Sequence, residues 1–183
     1  MAVRPIALPL LMLLAAAALS ARAAPTPRTE APIREVVLSN GARRYAVRIT
    51  VGHTPLLASL DTGSTGLRIL PGVLDPADAA VSAEPETYGY ASGSRYEGVV
   101  GQATVAMGAA SGVGPVHLIR SIGCFAYLPR CPASRTTIDK YGIASDGLPG
   151  EGFKAILGTD MAPGRVGNPL RFLGVRRWIV ELP

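Results

Sequence analysis

Past its first two dozen residues this chain nowhere sustains the 3.6-residue apolar period of a buried helix. Its apolar residues come instead in short, β-branched runs stopped by Gly and Pro. With 21 Gly and 16 Pro among 183 residues, breakers fall too often for long helices and suit strands and turns. A mainly β fold with only short helices is therefore expected. Residues 44–51 alternate, with Tyr45, Val47, Ile49 and Val51 on one face and Arg44, Ala46, Arg48 and Thr50 on the other. An earlier strand at 35–38 joins them through Ser39-Asn40-Gly41-Ala42, where Asn-Gly is a strong hairpin signal. Gly52-His53-Thr54-Pro55 then turns the chain into an apolar strand at 56–60, which runs straight into Asp61-Thr62-Gly63-Ser64-Thr65. A strand at 66–70 leaves that loop and stops at Pro71-Gly72. Further on, 72–87 reads as irregular or locally helical, 96–107 as a strand, 108–114 as a Gly/Ala/Ser loop and 116–122 as a strand. Residues 123–152 are loop-rich and 155–158 a short buried strand. Asn168-Pro169-Leu170 begins a helical turn, and 178–182 reads as a terminal strand.

The ends and the charge bound the class. Arg4 followed by an apolar run over 6–19 and by Ala21-Arg22-Ala23 has the order of a cleavable secretory leader over residues 1–23. The run is shorter than the roughly 20 residues needed to span a bilayer. Losing Arg4 and Arg22 lowers the formal charge of +5 to +3, and the remaining arginines are scattered rather than clustered. Neither a nucleic-acid surface nor a membrane association after cleavage is expected. Pro-rich residues 24–33 read as a flexible lead-in, and 34–183 as one domain in a secreted or periplasmic protein. Cys124 and Cys131 lie in a Gly/Pro-flanked segment and, in an oxidising compartment, are expected to close a small disulfide loop, with free thiols as the alternative.

Asp61 is the residue that draws attention. Asp-Thr-Gly alone is common turn chemistry. A carboxylate at the end of an apolar strand, on a loop containing Gly, is however held by buried backbone rather than left in water. Ser64 and Thr65 stand where they can hydrogen-bond that loop, and such bonding sets which protonation state is favoured.

The segment 44–70, RYAVRITVGHTPLLASLDTGSTGLRIL, resembles the start of a lobe of the pepsin-like aspartic proteases. There, a strand pair ending Gly-x-x-Pro leads into Asp-Thr-Gly-Ser-Ser/Thr and an apolar strand. Tyr90-Ala91-Ser92-Gly93-Ser94 followed by Glu97-Gly98-Val99-Val100-Gly101 is similar to the flap hairpin of that family. Phe153-Lys154-Ala155-Ile156-Leu157-Gly158 is similar to the element crossing beneath the Asp loop, and Ile156 to Met161 also resembles the matching part of single-lobed retropepsins. The close, from Asn168-Pro169-Leu170 to Trp178-Ile179-Val180-Glu181-Leu182, resembles the end of an amino-terminal lobe. The resemblance implies a single lobe, a closed or partly open barrel-like β fold with a flap hairpin. It implies peptide-bond hydrolysis by an activated water without cofactor or metal. Asp61 would be the activating carboxylate, with Ser64 orienting it and Thr62 and Gly63 shaping the loop. Tyr90, with Gly93 and Ser94, would close over a peptide or protein substrate.

The chain departs from that pattern. Tyr88 competes with Tyr90 for the flap role, Ala91 replaces a usual Gly, Arg95-Tyr96 falls at the expected tip, and 123–152 has no counterpart. Most consequential, no second Asp-Thr/Ser-Gly exists. Two carboxylates sharing one proton are needed for this chemistry, and Asp146-Gly147 reads as a turn. The expectation is a homodimer in which each chain gives one Asp61 across a two-fold axis, Thr62 bridging the loops. The alternatives are a lobe of the same fold that binds peptide or a partner protein without cleaving it, and a truncated relative unable to assemble a site. Other chemistries are poorly supplied. His53 and His117 are the only histidines, with no Gly-x-Ser-x-Gly elbow and no spaced ligand set.

Overall fold

The computed structural model describes residues 29–183. The leader at 1–23 and the first half of the lead-in therefore lie outside the described residues. Eight strands carry the fold: β1 (Ile33–Val37), β2 (Arg43–Val51), β3 (Thr54–Asp61), β4 (Thr65–Ile69), β5 (Ala79–Gly89), β6 (Ser94–Met107), β7 (Ala110–Cys124) and β8 (Ala155–Thr159). One short helix, α1 (Pro169–Phe172), and 3-10 turns at Pro76–Asp78 and Pro132–Arg135 complete it. Among the described residues no helix is long and apolar enough to cross a membrane.

The strands form one mixed sheet in the order β1-β2-β3-β8-β4-β7-β6-β5. The sheet bends back on itself where β2 meets β6, at Thr50 with Ala106 and Val51 with Val105. Two residue pairs make a partial ring and not a closed barrel. The β1–β2 hairpin forms at Asn40-Gly41, with Gly41 at φ 81° and its N–H donating to Leu38 O. At the β2–β3 turn the buried Asp78 carboxylate accepts the His53 N–H at 2.6 Å and the Thr54 hydroxyl. These bonds, the Thr54 hydroxyl first, hold its carboxyl below the usual range.

Alternation on β2 buries Val47, Ile49 and Val51 in the main core with Leu67, Ile69, Val105, Val116 and Leu157. A second cluster of Leu70, Tyr96, Ile119, Tyr141, Ile143 and Ile156 lies across the sheet. Leu157 and Ile156 thus serve different clusters, so β8 is covered on both faces and reads as a continuous apolar run. Ala46, on the expected outer face of β2, is fully buried as well.

Four local readings change. Residues 79–89 are a strand, because pairing with β6 imposes it on a Ser/Glu/Pro-rich edge that has little strand propensity of its own. The loop read over 108–114 shrinks to Gly108-Ala109, since β7 begins at Ala110. Gly112 and Gly114 are strand residues that admit α1. A Cβ on Gly112 would lie 2.1 Å from Phe172 O, and one on Gly114 2.2 Å from the Phe172 ring. Residues 178–182 form no strand. Trp178 packs on the main core, but Ile179 and Leu182 are exposed and no strand pairs with them. Arg95 and Tyr96 lie within β6, so the tip of the β5–β6 hairpin is Ala91-Ser92.

Candidate active site

Strand β8 lies between β3 and β4, parallel to the first and antiparallel to the second. The loop joining β3 to β4 must therefore pass over the end of β8, and Gly158 is opposite both Asp61 and Gly66. A Cβ on Gly158 would lie 2.6 Å from Ser64 O, so only glycine lets the loop sit this low. The Asp160 N–H donates to Ser64 O at 2.8 Å, and the Thr65 hydroxyl to Asp160 O at 3.2 Å. Asp61 stands half-buried at the end of β3, its Oδ1 accepting the Gly63 N–H at 2.9 Å. Thr62 and Gly63 are exposed and Ser64 is buried. Ser64 Oγ makes no hydrogen bond to Asp61. The orienting contact expected of Ser64 is supplied by the Gly63 amide.

The β5–β6 hairpin projects its turn over the same region. Tyr90 N–H donates to Ser94 O and Gly93 N–H to Tyr90 O, both at 2.9 Å, with Gly93 at φ 88°. This turn is braced from behind. Cys124 and Cys131 are joined by a disulfide, and the loop they close packs Leu128 against Gly93 and Phe125 against Gly89. Phe125 N–H donates to Gly93 O at 3.0 Å. Ser94 is buried, its hydroxyl 3.8 Å from Cys131 Sγ.

Tyr88 in β5 and Tyr90 just past its end lie side by side but do different things. Tyr88 lies flat on the Arg68 guanidinium, whose carbon is 3.3 Å from the ring centroid, and its hydroxyl accepts the Thr65 N–H at 3.4 Å. Tyr90 reaches the cavity beside Asp61. From Tyr88 the rings continue through Tyr90 and Tyr96 to Tyr141, edge to face at the first and last contacts and tilted at the middle one, with centroids 5.0, 5.1 and 6.0 Å apart. The chain of rings ends in a Tyr96–Tyr141 hydroxyl pair at 2.7 Å.

Burial pushes the Tyr90 hydroxyl up, with the Arg68 charge opposing it, and so keeps it a neutral donor. Arg68 is itself buried. Its Nη1 donates to Thr65 O and Gly66 O, the carbonyls that follow the Asp61 loop, while Nε has no partner. Desolvation lowers its pKa, although a guanidinium keeps its charge at any physiological pH. His117 on β7 is fully buried with both ring nitrogens unpartnered. Burial, helped by Arg68, lowers it to about 4.

The cavity beside Asp61 has a volume of about 290 Å³. Leu60, Asp61, Tyr90, Tyr141, Ile143 and Asp146 are among the residues that line it. Among the described residues Asp146 is the one other carboxylate at this cavity, and Arg44 Nη2 lies 2.6 Å from each of its oxygens.

The sequence did not announce Arg44 or Tyr141 as part of this region. Asp146 comes nearest in the sequence to a second acidic loop but reads there as a turn, and it lines the same cavity as Asp61. Arg68 left a signal as a charge out of pattern in an apolar strand. The chain matches no known protein family and no curated protein.

Proposed function

We propose that the protein is an exported aspartic endopeptidase of the pepsin-like kind, a single lobe whose working form is a homodimer with one Asp61 from each chain. The observation that carries this reading is the placement of Asp61. It ends a buried strand on a loop propped by Gly158, faces a cavity of side-chain size, and lies beneath a hairpin bearing a neutral tyrosine donor.

In the mechanism one Asp61 carboxylate takes a proton from a water while the other, protonated, polarises the scissile carbonyl. Tyr90 closes over the bound peptide. Asp146 does not serve as the second acid, because Arg44 Nη2 engages both of its oxygens. Exposure of Thr62 and Gly63 supports the dimer, since it leaves the loop open to a second copy. The Cys124–Cys131 disulfide supports export.

The test is hydrolysis of a fluorogenic peptide mixture at acidic pH by residues 24–183, with Asp61→Asn alongside. The amide of the variant keeps the bond from Gly63 but cannot exchange a proton. Turnover should fall by at least three orders of magnitude, with an unchanged melting temperature. Full activity in Asp61→Asn would remove the aspartic mechanism. The second reading, a peptide-binding lobe without catalysis, is favoured by the single half-site per chain. It predicts peptide binding with no turnover by either protein.

A further inference from the structure

The cavity beside Asp61 carries more negative than positive charge. Two carboxylates line it, Asp61 and Asp146, against one cation, Arg44. That cation is already spent. Its Nε donates to Ala144 O at 2.9 Å, its Nη1 to Arg43 O at 2.9 Å, and its Nη2 to both Asp146 oxygens. Asp146 Oδ2 also accepts from Asn40 Nδ2 at 3.4 Å, yet an acceptor position is left, because the side chain remains 43% exposed and a carboxylate accepts at about four positions. The wall that holds it is strained. Ala144 and Asp146 are the non-glycine residues with positive φ among the described residues, at 59° and 58°, and both line this cavity. Such outliers persist where surrounding structure fixes them, and they gather at ligand clamps. The rest of the lining combines apolar and aromatic side chains, Leu60, Ile143, Tyr90 and Tyr141 among them, with several serines.

We propose that this cavity is a subsite for a lysine or arginine side chain of the peptide substrate. The aliphatic stem lies along Leu60 and Ile143, with the tyrosine rings flanking the head group, and the cation meets Asp146. A volume of about 290 Å³ suits one long side chain and not two. An acidic side chain would bring a third negative charge to a site whose one cation is engaged. The inference rests on the peptide-cleft reading above and names the substrate class that the cleft selects.

The experiment is calorimetry on the wild-type mature protein with uncleavable hydroxyethylene peptide isosteres. These are identical except for one side chain beside the isostere: lysine, arginine, norleucine or glutamate. Lysine and arginine should bind at least tenfold more tightly than norleucine, with glutamate weakest. Asp146→Asn is the matched variant, because Asn tolerates the left-handed backbone as well as Asp does. It should bring the lysine-to-norleucine ratio close to one. Equal or tighter binding of norleucine by the wild type, or a basic preference that survives Asp146→Asn, overturns the subsite and leaves the peptide cleft standing. Failure to bind any of the four overturns both.

Discussion

Gly158 and Asp61 are a pair in which the missing side chain of one fixes the position of the other, and His117 shows the same economy with an opposite cost. Its imidazole sits among buried strands with neither nitrogen partnered, and Arg68 is the charge that bears on it. The folded pKa, about 4, lies below the ordinary 6.5. The native state therefore binds fewer protons than the unfolded chain between those values. Stability from this residue is fully present above pH 6.5 and is lost as the pH falls towards 4, by at most about 3 kcal/mol. Thermal melts across that range should show a falling melting temperature that His117→Leu flattens. An equal decline in the variant would place the acid sensitivity elsewhere. At this scale the sequence disclosed Asp61 and Tyr90, because a strand end and a hairpin are local patterns. Asp146 lies 102 positions from Arg44, and no local pattern could announce that meeting.

The hairpin over Asp61 is an element supported by another element. The disulfide loop fills the space behind Gly89 and Gly93, so the turn at Tyr90 has a fixed backing in place of open solvent. Replacing both Cys124 and Cys131 with Ser should lower stability by about 2 kcal/mol, the loop-closure value for a short ring. It should also raise KM for peptides several-fold while changing kcat less, because the hairpin then closes from a wider set of positions. A matched loss of kcat with KM unchanged would show that the loop does not hold the hairpin. The strands around Asp61 were readable, because β2, β3, β4 and β8 are apolar on their own account. β5 was not, since its strand state comes from β6 alone, and 178–182 had strand propensity but found no partner.

For the whole molecule, the proposed homodimer makes the order of the reaction depend on the count of Asp-Thr-Gly loops. One half-site per chain means that rate should rise with about the square of protein concentration below the dimer dissociation constant and linearly above it. An excess of Asp61→Asn chains should poison the wild type. Linear activity from a species that sediments as a monomer would sink the homodimer. The partial ring also leaves β5 at the rim of the sheet, where a row of unpaired backbone groups could template endless stacking of further chains. That rim is guarded. Pro85 contributes no N–H, Glu84 and Glu86 add charge, the register shifts between Val81 and Pro85, and Arg165 crosses to Glu84 and to Pro85 O. Resistance to fibril growth is thus written into the edge itself.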